Sequence, residues 1–324
     1  MFEKFLPSVV AFSHEADIIV ADNASDDASL EYVRRNFPTL RIIELDRNYG
    51  FADGYNKALE QVDAEYYILL NSDVEVTDGW IAAMLAFMDR NRKAVACQPK
   101  LIDYKKREYF EYSGAAGGFI DRYGYPFCRG RMFDTVEMDI GQYNDICPVF
   151  WASGAAMMVR SKEYWAAGGL DGQFFAHMEE VDLCWRMQAR GGEIYCVPQS
   201  RVYHVGGATL DKSNPRKTFL NFRNNLLMLY KNLPENELCR VMCMRTILDY
   251  VAAFKFLLSG STGDFKAVIR ARKEYKRMRG SYRAVRGENQ SRTIVNRITC
   301  RKPIMLLWQY YARGRKYFSD LKDK

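Results

Sequence analysis

Short apolar runs alternate with amphipathic segments along the first half of the chain. DIIVA (17–21) ends in Asp22-Asn23, and Ser25, Asp26 and Asp27 then offer N-cap and first-turn residues for a helix reaching Phe37. LRIIEL (40–45) reads as a second strand, and RNYGFADGYN (47–56) as a glycine-containing loop entering a helix that carries Ala58, Leu59 and Val62. YYILL (66–70) is a third strand. Residues 78–90 place Trp80, Ile81, Met84, Leu85 and Met88 at helical spacing, and 95–99 form a short strand. This alternation predicts an α/β domain with a mostly parallel sheet.

Residues 103–150 lose the rhythm and are rich in Tyr, Gly and Asp, which suggests a surface insertion or hairpin region. AAMMV (155–159) is another strand, 178–190 a helix closed by Gly191-Gly192, and 194–197 and 201–204 two short strands. From Arg216 the pattern turns helical: 218–232 carries Phe219, Phe222, Leu226, Leu229 and Tyr230, and 238–258 follows. SGSTG (259–263) breaks it, and 264–279 is basic and again helical in propensity. The organisation expected is an α/β domain over 1–235 and a basic helical region over 236–324.

Charge sharpens that division. Residues 216–324 hold 25 Lys+Arg against 8 Asp+Glu, whereas residues 1–215 hold 22 against 32. The net charge of +7 thus hides a basic half and an acidic half, suited to different partners. The eight cysteines form no C-x-x-C pair and read as mostly buried free thiols of a reducing compartment. No run approaches the roughly 20 apolar residues of a membrane helix. The opening residues lack a signal peptide's apolar core, so a cytoplasmic location is expected.

Ligands of parallel α/β sheets bind beyond the carboxyl ends of the strands. Three such ends are polar here: Asp22, Asn48, and Asn71-Ser72-Asp73 with Glu75 two places on. Helix starts after them offer N–H groups to phosphate, but carboxylates repel phosphate unless a cation lies between. Asp73 and Glu75 therefore suit a hard-cation site for Mg²⁺ or Mn²⁺ shared with a diphosphate, or else a solvated turn. In HMEEVDLCWRMQARGG (177–192), Glu179, Asp182 and Arg186 share a helical face, which fits a salt-bridge stripe. Glu180 lies roughly 100° from that stripe, where a carboxylate facing a pocket can take a proton from a hydroxyl. His14 and His177 read as structural. His204, after a strand and before Gly206-Gly207, is a candidate third metal ligand.

Taken in order, these segments resemble the inverting family 2 glycosyltransferases of the GT-A fold, in their rhamnosyltransferase-like branch, over roughly residues 2–235. IIVADNASDD resembles the family's nucleotide-binding strand end and NYGFADGYNKA its Gly/Asn loop. LLNSDVEV resembles the D-x-D-type metal motif, SGAAMMVR and GGLDGQFF the acceptor-side block, and EEVDLCWRMQARGG the general-base helix. VYHVGG resembles the late metal-binding histidine and RNNLLMLYKN the closing helix. The resemblance implies transfer of a sugar from a nucleoside diphosphate sugar to a saccharide or lipid-linked acceptor, with inversion, in surface polysaccharide or glycolipid assembly. It implies a metal on Asp73 and His204, with Glu75 as a further ligand, and Glu180 as base. Donor contacts then fall to Asp22, Asn23, Ser25, Asn48, Gly50, Asp53, Gly54, Asn56, Asn71 and Ser72. Gly154 and Trp151 line the acceptor site, or Trp151 sits in the core.

Two departures stand out. The family's base is Asp and position 180 is Glu, so Glu179 competes for the role. The family also opens with an apolar strand of the V-x-V-V-I type, and this chain starts at FEKFLPSVV, which looks like the helix that follows. A vacant central strand leaves backbone groups unpaired and predicts weak donor binding and reduced stability, unless another segment fills the gap. Residues 264–286 fit a solvated helical face or an anionic membrane surface, the latter placing the protein on the inner face of the cytoplasmic membrane, and the Trp/Tyr-rich 302–318 fit the same interface or dock on the catalytic domain or on a second subunit. No fold for nucleic-acid binding accompanies them. The alternative to an enzyme is a non-catalytic sugar-nucleotide-binding or membrane-surface scaffold protein.

Overall fold

A computed structural model describes residues 1–206, 214–295 and 297–321 of the chain. In chain order its elements are α1 (Phe2–Phe12), β1 (Ile19–Asp22), α2 (Ser29–Asn36), β2 (Arg41–Glu44), α3 (Gly50–Leu59), β3 (Tyr66–Leu70), β4 (Val74–Val76), α4 (Trp80–Arg90) and β5 (Ala94–Asp103). The middle adds β6 (Gly118–Asp121), β7 (Pro126–Cys128), β8 (Arg131–Met132), β9 (Thr135–Val136), β10 (Cys147–Val149), β11 (Ala156–Arg160), α5 (Ser161–Ala166), α6 (Glu179–Ala189) and β12 (Glu193–His204). Then follow α7 (Pro215–Asn232), α8 (Glu235–Leu258), α9 (Thr262–Met278), α10 (Arg283–Ser291) and β13 (Arg301–Lys302).

β12 is the spine. It is one strand, where two short ones were expected, because the chain stays paired with β5 through a register shift between Val197 and Arg201. Pro198 lies in that shift; it has no N–H to give to a ladder, so the strand bulges there and does not end. The main sheet runs β10-β12-β5-β11-β3, with β4 added on β12. Of these contacts only β5–β12 is parallel, and β10–β12, β11–β5, β11–β3 and β4–β12 are antiparallel. The sheet is therefore mixed, not mostly parallel. Apolar runs set strand existence, but not strand direction, which follows from the crossovers.

β1 and β2 pair in parallel as a separate sheet. Among the described residues no ladder joins this sheet to the main one, so the two are separated by a break. α1 spans the break: Val9 packs against the Val20–Val33 cluster on one side and the cluster of Val74, Trp80 and Met84 on the other. Ser13 accepts a hydrogen bond from the Trp80 indole at 3.1 Å, and the Tyr55 hydroxyl donates to the Leu70 carbonyl at the end of β3, at 3.0 Å.

The 103–150 segment is a hairpin region, as one of the two expectations had it, and not a surface insertion. Its antiparallel strands β6-β7-β8-β9 form a small sheet that β13 completes, and it sends Phe110, Phe127 and Phe150 fully into the main core. Its many aromatics are core side chains, and its Gly residues permit close approach. A Cβ on Gly118 would lie 2.0 Å from the Trp151 ring. Trp151 is buried there and its indole donates to the Phe119 carbonyl at 3.1 Å, so it is a core residue in this fold.

The basic C-terminal helices pack onto this body. Buried Arg245 binds Asp249 and the Asn225 side chain, and Arg272 of α9 binds the other Asp249 oxygen at 2.6 Å. β13 joins β6, and Phe318 packs 5.1 Å from Phe119. Among the described residues no helix is long and apolar enough to cross a membrane.

Candidate active site

β3 carries its apolar residues into the core and then releases Asn71-Ser72-Asp73 at its carboxyl end. Antiparallel pairing of β4 with β12 sets His204 opposite Val74, so His204 reaches Asp73 from 131 residues away. Its Nε2 lies 3.2 Å from Asp73 Oδ1, and its Nδ1 lies 3.4 Å from Glu111 Oε1. All three side chains are buried. Burial opposes ionisation of Asp73, but the hydrogen bond and charge of His204 outweigh it and hold the carboxyl below its usual range. Burial likewise disfavours a charged His204, yet Asp73 and Glu111 push its pKa up to about 10. Glu111 is held in turn by the Ser113 N–H at 2.5 Å. A carboxylate oxygen and an imidazole nitrogen meet on one buried edge. Among the described residues no group of three or more His, Cys, Asp or Glu could hold a metal ion.

Glu75 does not join this cluster. It pairs with Arg107 at 2.8 Å, and Arg107 stacks over the Tyr203 ring at 4.3 Å. Gly206 lies beside Glu111, and Gly207 falls outside the described residues.

The loop between β2 and α3 is clamped against the end of β1. Both Asp22 carboxylate oxygens accept from the Ser25 N–H, at 3.3 and 3.2 Å. Asn23 donates to the Gly50 carbonyl at 2.9 Å and accepts from the Tyr49 N–H at 2.9 Å, while Asn48 caps the Gly50 N–H. Gly50 has φ +77° and a Cβ there would lie 2.5 Å from the Phe175 ring, so only glycine fits. Gly54 packs on Asn23, and Asp53 abuts Gly172. Ser25, Asn48 and Ser72 are exposed at this edge. Asn56 points elsewhere: it accepts from the Tyr164 hydroxyl and Leu170 N–H and donates to the Leu170 carbonyl, tying α3 to the turn before α6.

That turn is strained. Phe175, His177 and Met178 have φ of 65°, 71° and 73°, a left-handed conformation that is unfavourable for each side chain. Asn224 of α7 fixes it by donating to the carbonyls of Phe174, Ala176 and His177, at 3.0, 2.9 and 2.8 Å, and Arg223 adds bonds to Gln173 and Phe174. α6 then starts with Glu179 and Glu180. Burial raises both carboxyl pKa values, Glu180 to about 7 and Glu179, pressed also by the Glu180 charge, well above its usual range. Each has one buried oxygen without a hydrogen-bond partner. Glu180 lies against Gly154, whose other neighbour is Phe51 of α3. Glu179 does not enter the predicted salt-bridge stripe. Asp182 does, with Arg186 at 2.8 Å.

Asp182 also anchors α6 from behind. Lys231 lies 2.8 Å from Asp182 and 2.5 Å from Asp171, Asn232 donates to Asp182, and the Tyr282 hydroxyl donates to Asp171. These ties hold the Asp182 carboxyl low against the burial that opposes its ionisation. Glu111, Asn224, Lys231 and Asn232 escaped sequence reasoning as site residues. The RNN and KN pairs of the closing helix were a signal for three of them; Glu111 sits in a segment with no period to follow.

The Glycosyl transferase family 2 model matches residues 2–154. An N-acetylglucosaminyl-diphospho-decaprenol L-rhamnosyltransferase of Mycobacterium tuberculosis is 28% identical over 218 residues, covering 62% of this chain and 71% of the relative. The rhamnosyltransferase WbbL of Escherichia coli is 24% identical and shares 62% of this chain and 77% of its own. Among solved structures, Staphylococcus aureus TarS aligns with a TM-score of 0.55 at 14% identity, over 90% of this chain and 51% of TarS. GalNAc-T7 with UDP, GalNAc and Mn²⁺ aligns at 0.50 and 17% identity, over 62% of this chain and 39% of that one. A strand end, a clamped glycine loop and a carboxylate-headed helix thus stand in an α/β fold of the GT-A kind, and the chain is similar to glycosyltransferase family 2 over residues 2–154 and to rhamnosyltransferases over 62% of its length.

Proposed function

We propose that this chain is a glycosyltransferase that moves a sugar from a nucleoside diphosphate sugar to a hydroxyl of a lipid-linked saccharide, with inversion and with help from a divalent cation. The observation that carries this reading is Glu180: a carboxylate with an unpartnered buried oxygen and a pKa near 7, against Gly154. A base poised near the working pH is what proton removal from an acceptor hydroxyl requires. Glu180 takes that proton; the freed oxygen bonds to the anomeric carbon from the face opposite the diphosphate, whose bond to that carbon breaks. Asp22, Asn23 and the 48–54 loop hold the nucleoside end of the donor. Asp73 and His204 would hold Mg²⁺ or Mn²⁺, which supplies charge neutralisation for the leaving diphosphate. Glu179 is the deeper neighbour, its carboxyl raised by burial and by the Glu180 charge.

The acceptor class follows the mycobacterial relative, whose name specifies an L-rhamnosyl group and an N-acetylglucosaminyl-diphospho-decaprenol. Such an acceptor places the enzyme at the inner face of a cytoplasmic membrane. Similarity to the family, with a complete base helix and Asp73–His204 pair, does not favour the non-catalytic scaffold.

The test is release of nucleoside diphosphate from a panel of nucleotide sugars, with and without Mn²⁺. Asp73→Ala is expected to abolish metal-dependent turnover, and Glu75→Ala, whose partner is Arg107, to retain most of it. No turnover on any donor, together with unchanged nucleotide binding by Asp73→Ala, would refute the reading.

A further inference from the structure

We propose that the outward face of α8 is a docking surface for an anionic lipid bilayer, along which the helix lies without crossing it. The proposal deepens the lipid-linked acceptor reading and rests on it for its purpose, but the surface is defined independently. Ile247, Tyr250, Val251, Phe254, Leu257 and Leu258 fall on one stripe about 120° wide at 100° per residue. All six are exposed, Val251 by 61%, Phe254 by 58% and Leu258 by 73%. The opposite face carries Val241, Arg245, Asp249 and Ala253, all buried. The Arg245–Asp249–Arg272 network therefore fixes which face of α8 turns outward. A continuous apolar stripe of this length on a water-facing helix signals a partner.

Charge and aromatic placement identify the partner. Between Leu238 and Leu258 the only carboxylate is Asp249, and it is buried among arginines. Lys255 stands at the stripe's edge, 3.3 Å from the Tyr311 hydroxyl, and Tyr311 and Trp308 are themselves half exposed, at 53% and 54%. On the other flank Arg272 of α9 approaches the Tyr250 ring at 5.4 Å, and Lys266, Arg270, Lys273 and Lys276 of α9 are exposed cations. Apolar residues with Trp and Tyr beside them and cations around them match the headgroup–acyl boundary of an anionic membrane. A second copy of this chain fits worse, because docking stripe to stripe would bring two sets of cations together. The basic face expected from 264–286 thus acts as the flank of the surface, and α8 supplies its apolar centre.

Flotation of the full chain with vesicles tests this, using phosphatidylcholine alone and phosphatidylcholine with phosphatidylglycerol, at low and high salt and without substrate. Binding is expected to the phosphatidylglycerol vesicles and to weaken with salt. The double variant Val251→Glu, Phe254→Glu is expected to lower partitioning about tenfold or more, with an unchanged melting temperature because both sites are exposed. Brominated lipid should quench Trp308 fluorescence in the parent chain only. Equal partitioning of the double variant, or no binding to either vesicle, overturns the proposal. So does a dimer in light scattering that the double variant dissolves, which would assign the stripe to a second copy. Vesicle binding by a chain that turns over no donor would leave this surface standing while removing the proposed reaction.

Discussion

Replacing Glu180 with Gln removes the ionisable group while keeping its shape, and two independent readouts should move. In the parent enzyme the base works only when deprotonated. Its pKa near 7 predicts kcat/KM rising about tenfold per pH unit below 7 and levelling above it. Loss of a general base lowers the rate by about 100- to 10,000-fold, so Glu180→Gln should fall by that range on the plateau and lose the pH dependence. Stability should move the opposite way. The folded chain holds this proton more tightly than the unfolded chain, because burial raises the carboxyl from 4.5 to about 7. The stabilising contribution is complete below pH 4.5 and is lost as pH rises through 7. The shift corresponds to about 3 kcal/mol at most. Glu180→Gln avoids that loss, so at pH 8 it should melt several degrees above the parent, and at pH 4 within a degree or so of it. The assays are nucleoside diphosphate release against pH and thermal melts at the two pH values. A variant with half the parent rate, or an unchanged pH profile, would refute Glu180 as the base, and a large loss in Glu179→Gln instead would transfer the role.

Two further perturbations address the scaffold behind the base. Lys231→Met should destabilise the fold by about 3–5 kcal/mol, because it leaves Asp171 and Asp182 with a buried cation removed; a chemical denaturation series measures it, and a change under 1 kcal/mol would deny that Lys231 anchors α6. Asn224→Ala removes the donors that hold three carbonyls of the strained turn, and should cost about 1–3 kcal/mol with a fall in kcat larger than any change in KM. An unaltered kcat would show that the turn keeps its shape without Asn224.

Part of the candidate site's geometry was legible in the sequence because it depends on local chemistry. An apolar run that turns polar at Asn71-Ser72-Asp73 marks a strand end, and a glycine at position 50 marks a backbone that no Cβ can share. The family resemblance ordered these pieces, and the helix from Glu179 to Ala189 followed from its period. Tertiary structure decided what distance along the chain conceals. Asp73 and Glu75 look equivalent two residues apart, yet Arg107 takes the second and His204, through the β4–β12 register, takes the first. Glu111 has no motif, because only the fold of the 103–150 segment into the core brings it beside His204. A buried lysine in α7 cannot be told from a solvated one by spacing, since what makes Lys231 structural is two carboxylates 49 and 60 residues away. The same holds for α8: its sequence is apolar nearly all round, and only the buried Arg245–Asp249–Arg272 contacts decide which apolar face is left outside. Sequence alone sets which residues carry charge, period and conformational freedom, while the pairing of distant strands and helices selects which of them meet.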